Sequence, residues 1–107
     1  FIYTNHSCAG HYHEDGEYWG AEIEFVLDPE NIDTPLFIKQ IEQLLAKYFE
    51  NFVVKIMKNK KGIFAFKFFT INPEEECYIS KEQYKVEENN LFSFFGELEK
   101  LTQLFLP

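Results

Sequence analysis

Residues 18–27 read Tyr-Trp-Gly-Ala-Glu-Ile-Glu-Phe-Val-Leu, and their period decides the fold class. Trp19, Ala21, Ile23, Phe25 and Leu27 fall on one side of an extended chain; Tyr18, Gly20, Glu22, Glu24 and Val26 fall on the other. Side chains alternate along a strand, so an apolar row opposite a mixed one predicts a half-buried β-strand. The turn chemistry that follows is Asp28-Pro29-Glu30-Asn31, where proline presets φ and aspartate bonds nearby backbone. Asp33-Thr34-Pro35 then opens a helix, with Thr34 as the expected cap and Pro35 suited to the first helical position. Phe37, Ile41, Leu44, Leu45 and Tyr48 recur at helical spacing, widened by Ile38 and Phe49, while Lys39, Gln43, Lys47 and Glu50 stay on the wet side.

Working outward, residues 1–4 are expected to pair with this strand, which makes residues 6–16 a long hairpin connection. Downstream, residues 52–58 and 62–70 flank Asn59-Lys60-Lys61-Gly62, a polar turn between apolar runs that predicts a β-hairpin. Phe64, Phe66 and Phe68 share the face expected to meet the helices. Residues 77–79 and 83–86 read as short strands about a turn at Ser80-Lys81-Glu82. Asn89 or Asn90 then caps a final helix over residues 91–106, with Leu91, Phe94, Leu98, Leu101 and Phe105 inward. Gly96 inside it costs about 1 kcal/mol against alanine, which implies close packing on the sheet.

This order predicts an α+β fold: an antiparallel sheet of about four strands with two helices packed on one face. A connection through the first helix sets strand 18–27 parallel to a later strand, an arrangement compatible with a ferredoxin-like variant. At 107 residues the chain is expected to be a single domain, residues 1–107. Its 46% hydrophobic and 26% charged residues exclude a disordered chain. Aromatic residues make up 19%, enough large side chains for a real core. No apolar run approaches the roughly 18–20 residues of a membrane span, so no membrane partner is expected. No stretch has the pattern of a secretory signal. Cys8 and Cys77 are the two cysteines, too few for a disulfide scaffold, and reduced thiols in a cytoplasmic setting are expected.

The formal charge is −8, and every basic residue is lysine. Arginine supplies the planar fork that grips phosphates and guanine edges, so no direct nucleic-acid partner is expected. Residues 1–34 carry Glu14, Asp15, Glu17, Glu22, Glu24, Asp28, Glu30 and Asp33 and no base. Residues 35–72 carry seven lysines against Glu42 and Glu50, and the rest of the chain is acidic again. Either these blocks neutralise one another on folding, or an acidic patch faces a basic partner.

Two constellations could carry chemistry. His6, Cys8, His11 and His13 lie close together and include every histidine of the chain. Imidazole and thiolate suit Zn²⁺, which takes four tetrahedral ligands, so the loop is a candidate zinc site of a zinc-binding domain or small metalloenzyme. On an extended segment His11 and His13 project to one side. No Gly-rich phosphate loop, Gly-x-Ser-x-Gly or His-Glu-x-x-His occurs, which makes an enzyme the minority expectation.

The second constellation is acidic. Glu14, Asp15 and Glu17, then Glu74, Glu75 and Glu76, then Glu87 and Glu88, all read as loop residues. A small acidic α+β domain without a catalytic motif predicts an inhibitor of the immunity-protein or nuclease-inhibitor type. Its carboxylates would block the active cleft of a basic partner such as a toxin or nuclease. Tyr3, Tyr12, Tyr18 and Trp19 are candidate anchors, although Trp19 is expected in the core. Residues 63–69 carry aromatics on both faces, which also fits a self-associating subunit or homodimer.

Overall fold

The computed structural model describes residues 2–8, 11–58 and 61–105, with backbone alone for residues 2–8. In chain order the elements are β1 (Ile2–Cys8), β2 (His11–Tyr12), β3 (Tyr18–Trp19), β4 (Glu22–Leu27), α1 (Thr34–Tyr48), β5 (Val53–Lys58), β6 (Phe64–Phe69) and α2 (Lys81–Phe105). The fold is α+β, with two helices and antiparallel sheets. Hydrogen-bonded neighbours run in the order β1-β4-β6-β5, and β2 with β3 forms a separate ribbon. Both β4 and β5 are antiparallel to β6, so they run parallel to each other with β6 inserted between them. The expected parallel relation across α1 is therefore present.

One sheet face is apolar because the alternation of β4 and β6 is in register: Ile23 lies opposite Phe68, and Phe25 opposite Phe66. Against it α1 buries Phe37, Ile41 and Leu45, and α2 buries Leu91, Phe94, Leu98 and Leu101. Phe25 meets Phe37 edge-on at 5.3 Å and Phe68 at 6.1 Å, and Phe49 meets Phe94 at 5.6 Å. Each such side chain contributes about 1.5–3 kcal/mol by leaving water. The opposite face is mixed, with charged residues among Val26, Ala65 and Phe69. There Lys67 stands between Glu22 at 3.5 Å and Glu24 at 3.4 Å. Lys55, opposite Lys67 in register, turns instead to Glu74 at 3.0 Å. The basic middle of the chain thus meets both acidic blocks, and folding cancels part of the charge segregation.

Residues 18–27 do not form one strand. Thr70 closes on the chain between β3 and β4, where its hydroxyl accepts from Ala21 N at 2.9 Å and its own N–H donates to Ala21 O at 3.0 Å. Only glycine fits beside it, because a Cβ on Gly20 would lie 2.4 Å from Thr70 Oγ1. The break shifts the phase. Tyr18 enters the core at 2% exposure and Trp19 turns outward at 54%, the reverse of the expected pair.

Other expectations are corrected as well. Strand β1 runs past residue 4, so His6 and Cys8 are strand residues opposite Glu24 and Glu22 rather than loop residues. Asp33, not Thr34, is the N-cap of α1, and it makes no side-chain cap bond. Thr34 is buried in the first turn, its hydroxyl donating to Asp28 O at 2.5 Å. Residues 83–86 are helical, and Asn89 and Asn90 lie inside α2 rather than at its cap. Ser80 and Gln83 start this helix by a reciprocal capping box: Ser80 N donates to Gln83 Oε1 at 2.8 Å, and Gln83 N to Ser80 Oγ at 3.1 Å. The predicted strand at 77–79 reduces to a single bridge between Tyr78 and Glu17. Finally, Gly96 does not mark close packing, since no described residue lies within 4 Å of where a Cβ would sit.

Candidate binding surface

The acidic hairpin β2–β3 is fastened to residues 77–79 by backbone. Tyr18 N donates to Cys77 O at 2.8 Å, and Ile79 N donates to Gly16 O at 2.9 Å. The turn itself closes through His13 N to Glu17 O at 2.9 Å, with Gly16 at φ +94°, where glycine alone is unstrained. Asp15 Oδ1 accepts from Glu17 N at 3.0 Å and steadies the tip. Tyr12 stacks on Tyr84 of α2 at 4.4 Å, and Tyr18 meets the same ring edge-on at 5.8 Å. The Tyr12 hydroxyl donates to Ile79 O at 3.1 Å. Two of the expected anchors, Tyr12 and Tyr18, therefore hold the hairpin down rather than face solvent.

The outward side of this corner joins aromatics to carboxylates. Trp19 Nε1 donates to the Glu17 carboxylate, whose other oxygen accepts from the Tyr78 hydroxyl at 3.5 Å. Trp19 and Tyr78 are both more than half exposed. The charges of Glu76, then Glu17, together with burial and Asp15, push the Tyr78 phenol above its ordinary range. Carboxylates from two distant segments thus share one local field. Behind Trp19 lies a cleft of about 540 Å³, walled by Phe69, Ile71 and residues 74–77. Such a surface suits cationic groups, which carboxylates attract by charge and exposed rings by cation–π contact.

The predicted acidic residues divide. Glu14 and Asp15 are exposed on the hairpin turn, Glu17 is its half-buried aromatic clamp, and Glu75 and Glu76 are exposed. Among the described residues, no cation pairs with Glu14, Asp15, Glu75 or Glu76, whereas Glu74 is taken by Lys55. Glu87 and Glu88 are not loop residues. They lie on α2 and do not line the Trp19 cleft, because the helix starts earlier than its apolar spacing suggested.

Of the candidate zinc ligands, the side chains of His6 and Cys8 lie outside the described residues. His13 and His11 both flank the Trp19 ring, at 5.1 Å and 6.4 Å. Among the described residues, no group of three or more His, Cys, Asp or Glu side chains is arranged to hold a metal ion. Cys77 is a half-buried free thiol. Tyr78 is a surface residue that the sequence pattern does not single out; its only signal is an aromatic two residues past an acidic run. No helix among the described residues is long and apolar enough to cross a membrane. No protein-family model, curated protein or solved structure matches the chain.

Proposed function

We propose that this chain is a small acidic protein-binding module of the inhibitor or immunity-protein kind, acting in the cytoplasm on a basic protein partner. The observation that carries the reading is the corner where Asp15, Glu17 and Glu76, from two separate segments, converge on exposed Trp19 and Tyr78. Interface hot spots favour tryptophan and tyrosine, and unpaired carboxylates around them steer and align a cationic surface. We read the architecture as a permuted ferredoxin-like arrangement, with β1 at the edge beside β4 where a final strand would otherwise lie. That fold hosts many activities, so the surface bears the argument and the topology does not.

The test is affinity capture from the native host, using the intact chain and a triple variant, Asp15→Asn, Glu75→Gln and Glu76→Gln. Wild type is expected to capture a protein of basic pI, with an association rate that falls steeply as salt is added. The triple variant is expected to associate on the order of tenfold more slowly. Equal association by the variant, or a salt-insensitive rate, would overturn the reading.

A further inference from the structure

The inward stripe of α2 contains one charge. Tyr84, Leu91, Phe94, Leu98 and Leu101 repeat at helical spacing, and Glu87 stands among them, between Tyr84 and Leu91. It is half-buried, and among the described residues no ion pair or hydrogen bond holds it. A carboxylate turned toward a core without a partner is costly. Burial accordingly raises its pKa above the usual carboxylate value.

Across from Glu87 lies a second incomplete group. The Tyr18 hydroxyl is buried and, among the described residues, has no hydrogen-bond partner. Of the charges around it, that of Glu87 bears on it most. Both residues line a cleft of about 430 Å³, whose walls include Tyr48, Phe49, Val86 and Asn90. That volume falls in the range of small-ligand sites, about 300–1,000 Å³, and far exceeds what one water needs.

The two groups define what the cleft lacks. A partner must donate to the carboxylate, offset its charge and reach the phenol oxygen. The acceptors are unlike groups on separate elements, a phenol on β3 and a carboxylate on α2, so one cation must reach both. A compact ammonium with three rotatable donors can serve both, and the aromatic and aliphatic walls suit a hydrocarbon stem.

We propose that this cleft binds a primary ammonium group on a short aliphatic stem, with Glu87 as its counter-ion and the Tyr18 hydroxyl as its acceptor. The site stands on different residues from the acidic corner, and either assignment can fail without the other. The ammonium could belong to a free alkylamine or to the lysine side chain of a protein.

The experiment titrates the full chain with n-butylamine, following melting temperature and amide chemical shifts. The neutral 1-butanol and tetramethylammonium, a cation without donors, serve as controls. Nα-acetyl-lysine amide, titrated in parallel, distinguishes the two sources. Butylamine is expected to raise the melting temperature saturably and to shift amides around residues 18, 87 and 90. Glu87→Gln is expected to weaken that binding about tenfold or more, as loss of a hydrogen bond to a charged group does. Tyr18→Phe should weaken it less. Should Tyr18→Phe fail to fold, Glu87→Gln decides alone. Binding of the lysine amide assigns the site to protein side chains, and its exclusion assigns it to free amines. An equal response to butylamine and 1-butanol, or equal butylamine binding by wild type and Glu87→Gln, would overturn the proposal.

Discussion

The sheet face beneath the helices and the corner at β2–β3 are held together by opposite means. Under the helices, side chains do the holding: Phe25, Phe37, Phe68, Phe49 and Phe94 interlock as rings. At the corner, backbone does much of it, through Tyr18 to Cys77, Ile79 to Gly16, and Thr70 to Ala21. The difference explains what each region can present. Side chains that hold the fold cannot also face a partner, whereas backbone fastening leaves Trp19, Tyr78, Asp15, Glu75 and Glu76 turned to solvent.

The largest expected effect tests that division directly. Phe25→Ala removes a ring that touches both α1 and β6, and is expected to cost about 3–5 kcal/mol in chemical denaturation. The carboxylate triple variant of the corner should change stability by no more than about 0.5 kcal/mol. If the corner triple were as costly as Phe25→Ala, its side chains would be structural and the contrast would collapse.

Gly20→Ala sharpens the comparison from the other side, because it loads a side chain onto a backbone joint. The new Cβ would meet Thr70 Oγ1 at 2.4 Å and Ile71 Cγ1 at 2.6 Å, and Thr70 is pinned by its bond from Ala21. Overpacking of this kind costs roughly 1–3 kcal/mol. The strain should be local, so the emission of Trp19, the chain's single tryptophan, is expected to shift in the folded state. An unchanged spectrum with unchanged stability would mean that the kink does not depend on this contact.

The same joint shows why one region was legible in the sequence and the other only in part. The stripe of α1 and the Phe64–Phe66–Phe68 row follow periods of three to four and of two, and a period is local information. Tyr18 and Trp19 also obey a period, but their phase is reset at Gly20 by Thr70, which is distant in sequence. No local pattern carries that reset. Elsewhere a local signal was present but ambiguous. Ser80 and Gln83 form a capping box, yet Gln83-Tyr84-Lys85-Val86 alternates as a strand does, so the pattern alone starts α2 too late and leaves Glu87 and Glu88 in a loop. The acidic surface was legible as composition. Its aromatic partner Tyr78 was not, because only the bridge to Glu17 brings it there.

The contrast between inward and outward groups recurs on α2 itself, in the smallest effect expected here. Burial raises the Glu87 carboxyl above its ordinary value. Glu97 is the opposite case. It accepts from the Tyr48 hydroxyl and from Lys47 Nζ at 2.9 Å, and these bonds, Tyr48's foremost, lower its pKa. The native state therefore binds the Glu87 proton more tightly than the unfolded chain does, and the Glu97 proton less tightly. Stability linked to Glu87 is lost as pH rises from the ordinary carboxylate value through the raised native one. Stability linked to Glu97 is present above the ordinary value and is lost as pH falls through the lowered native one. Calorimetric melting of Glu87→Gln and Glu97→Gln across acid and neutral pH at low salt checks both signs. Near neutrality Glu87→Gln should melt above wild type and Glu97→Gln below it, and each gap should close on acidification. Both groups are partly exposed, so the shifts should be small and should shrink with added salt. Opposite signs on one helix are the informative feature: if Glu87→Gln melted level with wild type or below it, Glu87 would be a solvated carboxylate rather than part of the inward stripe.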